Sequence, residues 1–504
     1  MVDTVELFVI GGGVNGCGIA RDAAGRGLRV TLAEMGDLAQ ATSSASSKLI
    51  HGGLRYLEFY EFRLVRESLA EREKLLAAMP HIAWPMRFVL PHHKGLRPDW
   101  MLRTGLLIYD TLGGRGLPPT RRIDLRRHPA GELLAERFHH GFEYSDAWVD
   151  DARLVVLNAR DAAMRGASIL TRAKVIAVSR HPAHWEINVE RDGQIETHRA
   201  RRLVNAAGPW AGEVSRKTGT PHQVRLVRGS HIVLKRLPGH EQPYILQGGD
   251  GRIVFVIPYE DDFTLIGTTE AEHHGDASGA ECSPEEAQYL LDFVNDYLAT
   301  PLGRKDIVWS YSGVRPLIES EGDARSASRD YQLDYDDTGG APLLTVLGGK
   351  LTTYRKLSET ALDLMGIGGP WTARAPLPGG AYHRREAAAK LAALRTAHPF
   401  LTEAWAKRLL RSYGTEAESI LAGAKTVADL GEDFGATLTE AEVRFLVRNE
   451  FARTSEDVLW RRTKLGLRID AAGRQALDAA MVRLVGEAAP ATAATGSVTV
   501  SGTG

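Results

Sequence analysis

Three glycines and one carboxylate carry the first chemistry in the chain. Gly11, Gly13 and Gly16 stand as G-x-G-x-x-G directly after the apolar run VELFVI (5–10), and Glu34 follows at the interval of about 20 residues that a dinucleotide site needs. In such a turn the first glycine permits the tight bend, the second lets a pyrophosphate approach the backbone, and the third packs helix on strand. The helix start adds unpaired N–H groups and partial positive charge for phosphate. Glu34 would accept hydrogen bonds from an adenosine ribose, and an acid rather than an arginine there disfavours a 2′-phosphate. FAD or NAD remain.

A second cluster occupies SSASSKLIHGGLRYLE (43–58): four serines, two adjacent glycines, a lysine, a histidine and an arginine. A solvated Ser/Gly surface loop would account for that composition, and so would a loop wrapped on an anionic ligand. Two further glycine turns favour flavin over nicotinamide: LVNAAGPWA (203–211), and VLGGKLTTYRKL (346–357) near the end of the first three-quarters. An NAD domain has no use for a third glycine turn followed by a helix start. A reduced isoalloxazine carries negative charge on its pyrimidine side, which a helix N-terminus and a lysine stabilise.

These groups need elements to hold them. VELFVI reads as a buried parallel strand. Residues 14–26 keep apolar or small side chains at Val14, Cys17, Ile19, Ala20, Ala23 and Ala24, as a helix on a sheet would, and Gly27 ends it. LRVTLA (28–33) is the next strand and delivers Glu34, completing a βαβ unit. Residues 153–165 read as a helix and 167–207 as short strands, with WEINV (185–189) alternating. Strands SHIVL, RIVFVIPY, FTLIGT and DIVWSYSG fill 223–335 and suggest a separate antiparallel sheet. Beyond RAPLPGG (374–380) the pattern turns helical, with Thr402 as a cap and Thr439 with Glu442 as a capping box. The low-complexity tail from 489 is expected to be disordered.

Composition narrows the classes. With 504 residues and 43% hydrophobic content, the chain is too long for one ordinary domain. Its net charge of −1 disfavours a nucleic-acid partner. Cys17 and Cys282 form no CxxC or zinc-like spacing, so no metal is expected and a reducing compartment fits. No signal peptide or spanning run is visible, which implies a soluble protein or one attached to a membrane surface. RPDWMLRTGLLIYD places Arg97, Trp100, Arg103, Leu107 and Tyr109 in a pattern compatible with a bilayer interface or a partly buried helix. SEDVLWRRTKLG (455–466) reads as a core helix with a solvated face or as a contact surface.

GGGVNGCGIARDAAGRGLRVTLAE, ATSSASSKLIHGGLRYLE, EYSDAWVDDARLV, RGSHIV, RIVFVIPY, IGTT, WSYSGVRPL, SRDY, LGGKLTTYRKL and DLGEDFG together resemble the FAD-dependent glycerol-3-phosphate dehydrogenases of the aerobic, quinone-linked type, from about residue 3 to 488. The departures are an Arg/Pro-rich insert at 114–129 and the tail. The resemblance implies an α/β fold: a Rossmann-like FAD-binding domain with an antiparallel-sheet cap, D-amino-acid oxidase-like, plus an all-α C-terminal domain. The expected boundaries are 1–75, 149–216 and 340–373 for FAD, 76–148 and 217–339 for the cap, a linker at 374–384, helices over 385–488 and the tail at 489–504.

For the site, the resemblance implies non-covalent FAD held by Gly11, Gly13, Gly16, Glu34, Thr42, Ser43, Ser44, Ser47, Gly52, Gly53, Gly208, Gly349, Lys350, Leu351 and Thr352. It implies a phosphate substrate, sn-glycerol 3-phosphate, met by Arg55, Tyr56, Arg315, Arg329 and Lys350. Several cations suit a phosphate monoester better than the single carboxylate of an amino acid. Oxidation at carbon 2 needs a base for the hydroxyl proton: His231 first, because a neutral imidazole is poised near pH 7, then His51. Arg315 could instead stabilise the developing alkoxide. Implied partners are a membrane quinone, a second copy in a homodimer and peripheral contact with the inner face of the cell membrane, in a cytoplasmic protein. The rivals are an O₂-using glycerol-3-phosphate oxidase, an amine or amino-acid oxidase, and a redox-sensing flavin scaffold without turnover.

Overall fold

The computed structural model describes residues 3–54, 61–93, 98–113, 116–249, 251–318 and 331–488. The apolar run at the start becomes the strand Leu7–Ile10, buried at every position. Burial on both faces suits the centre of a parallel sheet. It pairs in parallel with Val30–Glu34 on one side and Leu203–Asn205 on the other. Ser168–Thr171 and Leu343–Gly348 extend the parallel run outward. The helix Val14–Gly25 packs on Asp151–Met164 and Tyr354–Leu364, and Arg21 Nε donates to Asp161 Oδ2 at 2.6 Å across the first of these contacts.

One strand departs from the expected grouping. Tyr331–Asp336, placed with the cap by sequence, pairs antiparallel with Leu343–Gly348 at the edge of the six-stranded sheet. A short connection between the two makes a hairpin, and the half-exposed residues of YQLDYD suit an edge rather than a centre.

The second sheet has ten strands among the described residues and is antiparallel apart from one short parallel contact. Ala83–His92 lies against His140–Val149 over ten pairs, and Val224–Lys235 against Ile307–Ile318. One face of this sheet closes on the helix Pro284–Asn295, where Leu290, Leu291 and Val294 join Val89, Ile232, Val256 and Ile266 in a core. That helix was not expected within the strand-rich region. Its signal was local: Ser283 and Glu286 form a capping box around Pro284. A third, four-stranded sheet contains Ala173–Arg180, Trp185–Arg191, Gln194–Ala200 and Thr4–Val5.

The chain forms two compact units, one over Met1–Ser419 and a second beginning at Ile420. Helices Ala387–Ala397 and Glu403–Tyr413 belong to the first, where Arg153 Nη2 reaches the Ser412 carbonyl at 2.9 Å and Lys407 pairs with Asp261 at 3.0 Å. Thr402 caps its helix by accepting from Trp405 N. The expected box at Thr439 and Glu442 is absent: Thr439 holds the N-cap position in an isolated bridge with Asp433, its hydroxyl makes no cap bond, and Glu442 is buried. In the second unit SEDVLWRRTKLG contains a π-helical turn, Asp457–Arg462, whose buried Arg462 donates to the Glu450 carbonyl at 2.7 Å.

In the helix Asp99–Leu112, Trp100 and Leu107 are 66% and 65% exposed. Tyr109 faces inward instead and is buried, which removes it from any interfacial face. Among the described residues no helix is long and apolar enough to cross a membrane. Arg97 and the tail at 489–504 lie outside the described residues.

Candidate active site

A cavity of about 840 Å³ runs from Glu34 past the glycine turn to the cap sheet. Gly11 adopts φ +111°, and a Cβ there would stand 2.5 Å from the Ala206 carbonyl oxygen, so no other residue fits the bend. Gly16 is the packing glycine: its Cβ would meet the Gly11 carbonyl at 1.9 Å, and it does not line the cavity. Gly13 caps the helix Val14–Gly25, and Ser43 Oγ accepts from Val14 N at 3.0 Å. Glu34 accepts from Gly12 N at 2.6 Å and Gly36 N at 2.8 Å. Burial pushes its carboxyl up and those two N–H groups oppose the shift.

At the other end Gly348 and Gly349 take φ +70° and +103°. A Cβ on Gly349 would meet Asn15 Nδ2 at 2.8 Å, while that amide donates to the Gly348 carbonyl at 3.2 Å and its buried Oδ1 has no hydrogen-bond partner among the described residues. Lys350 then caps the turn Leu351–Thr353, which leads into the helix Tyr354–Leu364. A glycine-lined cradle with a helix start at both ends and an acid at one fits a dinucleotide that carries a flavin at the other. Gly53 and Gly208, both at positive φ, complete the cradle.

The serine-rich loop is organised by a buried ion pair. Lys48 Nζ lies 2.7 Å from Asp151 Oδ1, both side chains being inaccessible, and also donates to the Ser44 carbonyl at 3.0 Å. Asp151 Oδ2 accepts from Ser46 N and Oγ at 3.1 and 2.7 Å. Lys48 thus serves the loop rather than a ligand. Thr42, Ser43, Ser46 and Ser47 face the cavity, whereas Ser44 does not.

The cap contributes Phe88, Tyr144, Ile245, Phe255, Thr268 and Arg315 to the wall. Arg315 Nη2 donates to Thr268 Oγ1 at 3.2 Å, with Glu270 3.6 Å from its other nitrogen. His51 lines the cavity near Phe255, with ring centroids 6.4 Å apart. His231 does not line it. Its Nε2 lies 2.9 Å from Ser47 Oγ and its ring stacks on Tyr311 at 4.8 Å. Burial, then the Arg315 and Lys48 charges, hold that imidazole well below its ordinary value.

Gly52 also turns away from the cavity, packing on Leu69 and donating to Tyr109 Oη at 2.8 Å. Tyr109 donates in turn to Asp146, which meets Arg72 Nη1 at 3.0 Å. Burial pushes the Asp146 carboxyl up to about 6 against the pull of Arg72. Asp146 and Asn15 line the cavity and were not singled out from sequence. EYSDAWVDD held the first in view, but only the strand pairing turns its side chain toward the cavity. The structure brings Arg315, Lys350, Leu351, Thr352 and His51 to one cavity. Arg55, Tyr56 and Arg329 lie outside the described residues.

Residues 6–355 match the family described as FAD dependent oxidoreductase, and residues 370–489 match the C-terminal domain of alpha-glycerophosphate oxidase. The chain is 51% identical over 485 residues to the aerobic glycerol-3-phosphate dehydrogenase of Escherichia coli (strain K12), covering 93% of this chain and 96% of that one. It is 49% identical over 486 residues to the D-erythritol 1-phosphate dehydrogenase of Brucella abortus (strain 2308), covering 94% and 97%. Among solved structures, the glycerol-3-phosphate dehydrogenase from Bacillus halodurans complexed with FAD superposes with a TM-score of 0.78 at 26% identity, covering 96% of this chain and 90% of that one.

Proposed function

Because this chain belongs to the FAD-dependent glycerol-3-phosphate dehydrogenase family, we propose that it oxidises sn-glycerol 3-phosphate at carbon 2 to dihydroxyacetone phosphate and passes the electrons to a membrane quinone. The observation that carries this reading is one cavity joining the glycine turn and Glu34 to a wall with Arg315 and Lys350. FAD, held without a covalent bond, supplies the hydride acceptor. Glu34 receives the ribose hydroxyls, and the backbone at Gly11–Gly13 with Ser43 receives the pyrophosphate. Lys350 and the turn Leu351–Thr353 provide positive charge at the flavin end. Arg315, with Arg55, Tyr56 and Arg329 carried from the resemblance, binds the phosphate and steadies the oxygen of the reacting alcohol.

His51 is the better base on this geometry. It reaches the cavity wall directly, whereas His231 sits behind Ser47 and is held neutral by burial and two cations. A base works best with its pKa near the working pH, so a strongly depressed imidazole is a poor proton acceptor. His231 then orients the Ser47 hydroxyl, and an imidazole nitrogen of His51 takes the substrate proton.

A second reading concerns substrate length. The D-erythritol 1-phosphate dehydrogenase relative is nearly as similar, so a four-carbon polyol phosphate is the alternative. Anaerobic mixing of the yellow protein with sn-glycerol 3-phosphate, D-erythritol 1-phosphate or glycerol separates these. The expected order of flavin bleaching has sn-glycerol 3-phosphate fastest and glycerol far behind, since each lost charged hydrogen bond costs about 1.5–3 kcal/mol. Faster bleaching by the erythritol ester would overturn the first substrate, and equal rates with glycerol would overturn the phosphate pocket. Reoxidation by quinone should outpace reoxidation by O₂. The same family reading supports a homodimer, to be checked by light scattering, and peripheral membrane contact through Trp100, Met101 and Leu107, exposed on the helix Asp99–Leu112. Anionic vesicles should carry the protein in flotation and lose it on Trp100→Ser with Leu107→Ser.

A further inference from the structure

Away from the flavin cavity, three side chains converge that sequence spacing does not connect. His92 ends the strand Ala83–His92, His140 begins His140–Val149, and the antiparallel register sets the two directly opposite one another. Opposed residues share a face of the sheet, and these imidazole centroids lie 5.0 Å apart. Asp99, the first residue of the helix Asp99–Leu112, completes the group. One ligand atom from each of the three lies within 4.8 Å of the others. Asp99 Oδ1 and His140 Nε2 are 3.3 Å apart, and both atoms are buried.

We infer that His92, His140 and Asp99 form a binding site for a divalent transition-metal ion of the Zn²⁺ class. Ligand atoms about 2.0–2.2 Å from a tetrahedral ion stand roughly 3.3–3.6 Å from one another, so the Asp99–His140 separation already fits and the third ligand needs a shift of about 1 Å. Two nitrogens and one carboxylate suit Zn²⁺ and its neighbours, whereas Mg²⁺ and Ca²⁺ take all-oxygen sets. Water fills the fourth position. The competitor is Arg122, 3.5 Å from Asp99 Oδ1 and 57% exposed, free to swing into solvent when a dication takes its place. The ion would clip the start of a helix that carries exposed Trp100 to the ends of two long strands. The function is structural: it fixes the helix, and turnover does not pass through it.

The test uses the full FAD-loaded protein, stripped with EDTA and dialysed, then equilibrated with ZnCl₂ and read by elemental analysis. One Zn²⁺ per chain is expected. His92→Gln with His140→Gln should bind none, while His181→Gln with His184→Gln, which removes the other His/Glu group on a hairpin, should still bind one. The melting temperature of the wild type should rise with Zn²⁺ and that of the His92/His140 variant should not. Should that variant fold poorly, Asp99→Asn serves alone and should weaken binding more than about tenfold. No Zn²⁺ on the wild type, or unchanged affinity in Asp99→Asn, overturns the site.

Discussion

Replacing Asp151 by asparagine keeps the shape of the side chain and removes its charge, taking away the counter-charge of a buried lysine. Lys48 is 1% exposed and Asp151 fully buried. Removing one partner of such a pair costs about 3–5 kcal/mol because the other charge stays uncompensated. Unfolding entropy is about 2.1 cal/mol/K per residue, so the 419-residue unit carries roughly 0.9 kcal/mol/K. The melting temperature should therefore fall by about 3–6 °C. The same carboxylate accepts from Ser46 N and Oγ, so the loop carrying Ser43 and Ser47 loosens as well and bound flavin should be lost more readily on dilution. Scanning calorimetry and the ratio of flavin to protein absorbance read the two effects. Adding Lys48→Met to the variant should recover at least half the loss, since an apolar side chain needs no counterion. A melting temperature for Asp151→Asn within about 1 °C of the wild type, with full flavin content, would refute the account of the loop.

Three further outcomes are expected. His51→Asn should slow anaerobic flavin reduction about 10²–10⁴-fold, and His231→Asn less than about tenfold with an unshifted pH profile; the reverse order restores His231 as the base. Gly11→Ala, with its Cβ 2.5 Å from the Ala206 carbonyl oxygen, should yield colourless or insoluble protein, and a yellow stoichiometric preparation counts against the glycine cradle. Burial holds His81 and His240 down at about 3. The unfolded chain protonates these groups near pH 6.5, so the stability they contribute is complete above that value and is lost as pH falls, by about 1.4 kcal/mol per pH unit for each. Urea midpoints from pH 7.5 to 5 should drop less steeply in His240→Gln than in the wild type, and parallel slopes contradict this assignment.

The βαβ unit was legible because its signals are local: an apolar run, glycines at fixed spacing and an acid at the next strand end. Lys350 and Arg315 became legible through whole motifs rather than through their own chemistry. What escaped was set by pairing between distant residues. Asp146 reaches the cavity because its strand lies against Ala83–His92, and His231 retreats behind Ser47 because Ser47 belongs to a loop pinned by Asp151, 104 positions later. The meeting of His92 with His140 was invisible for the same reason, since the two come together only through a strand register. The strand Tyr331–Asp336 was misgrouped because alternation reports a half-exposed strand without naming its sheet.

The order of strands in the six-stranded sheet has a consequence for synthesis. Leu203–Asn205 lies between Leu7–Ile10 and Leu343–Gly348, so its two neighbours come from opposite ends of the first 348 residues. At about 5–20 residues per second, a ribosome needs roughly 10–40 s after Ile10 to make the strand that covers its open edge, and roughly 7–30 s more for the one beyond. Through that interval a fully apolar strand waits with one side unpaired, and the turn around Lys350 does not yet exist. Flavin loading is thereby deferred until most of the chain has emerged, and the nascent N-terminal segment is the part that a chaperone would need to shield.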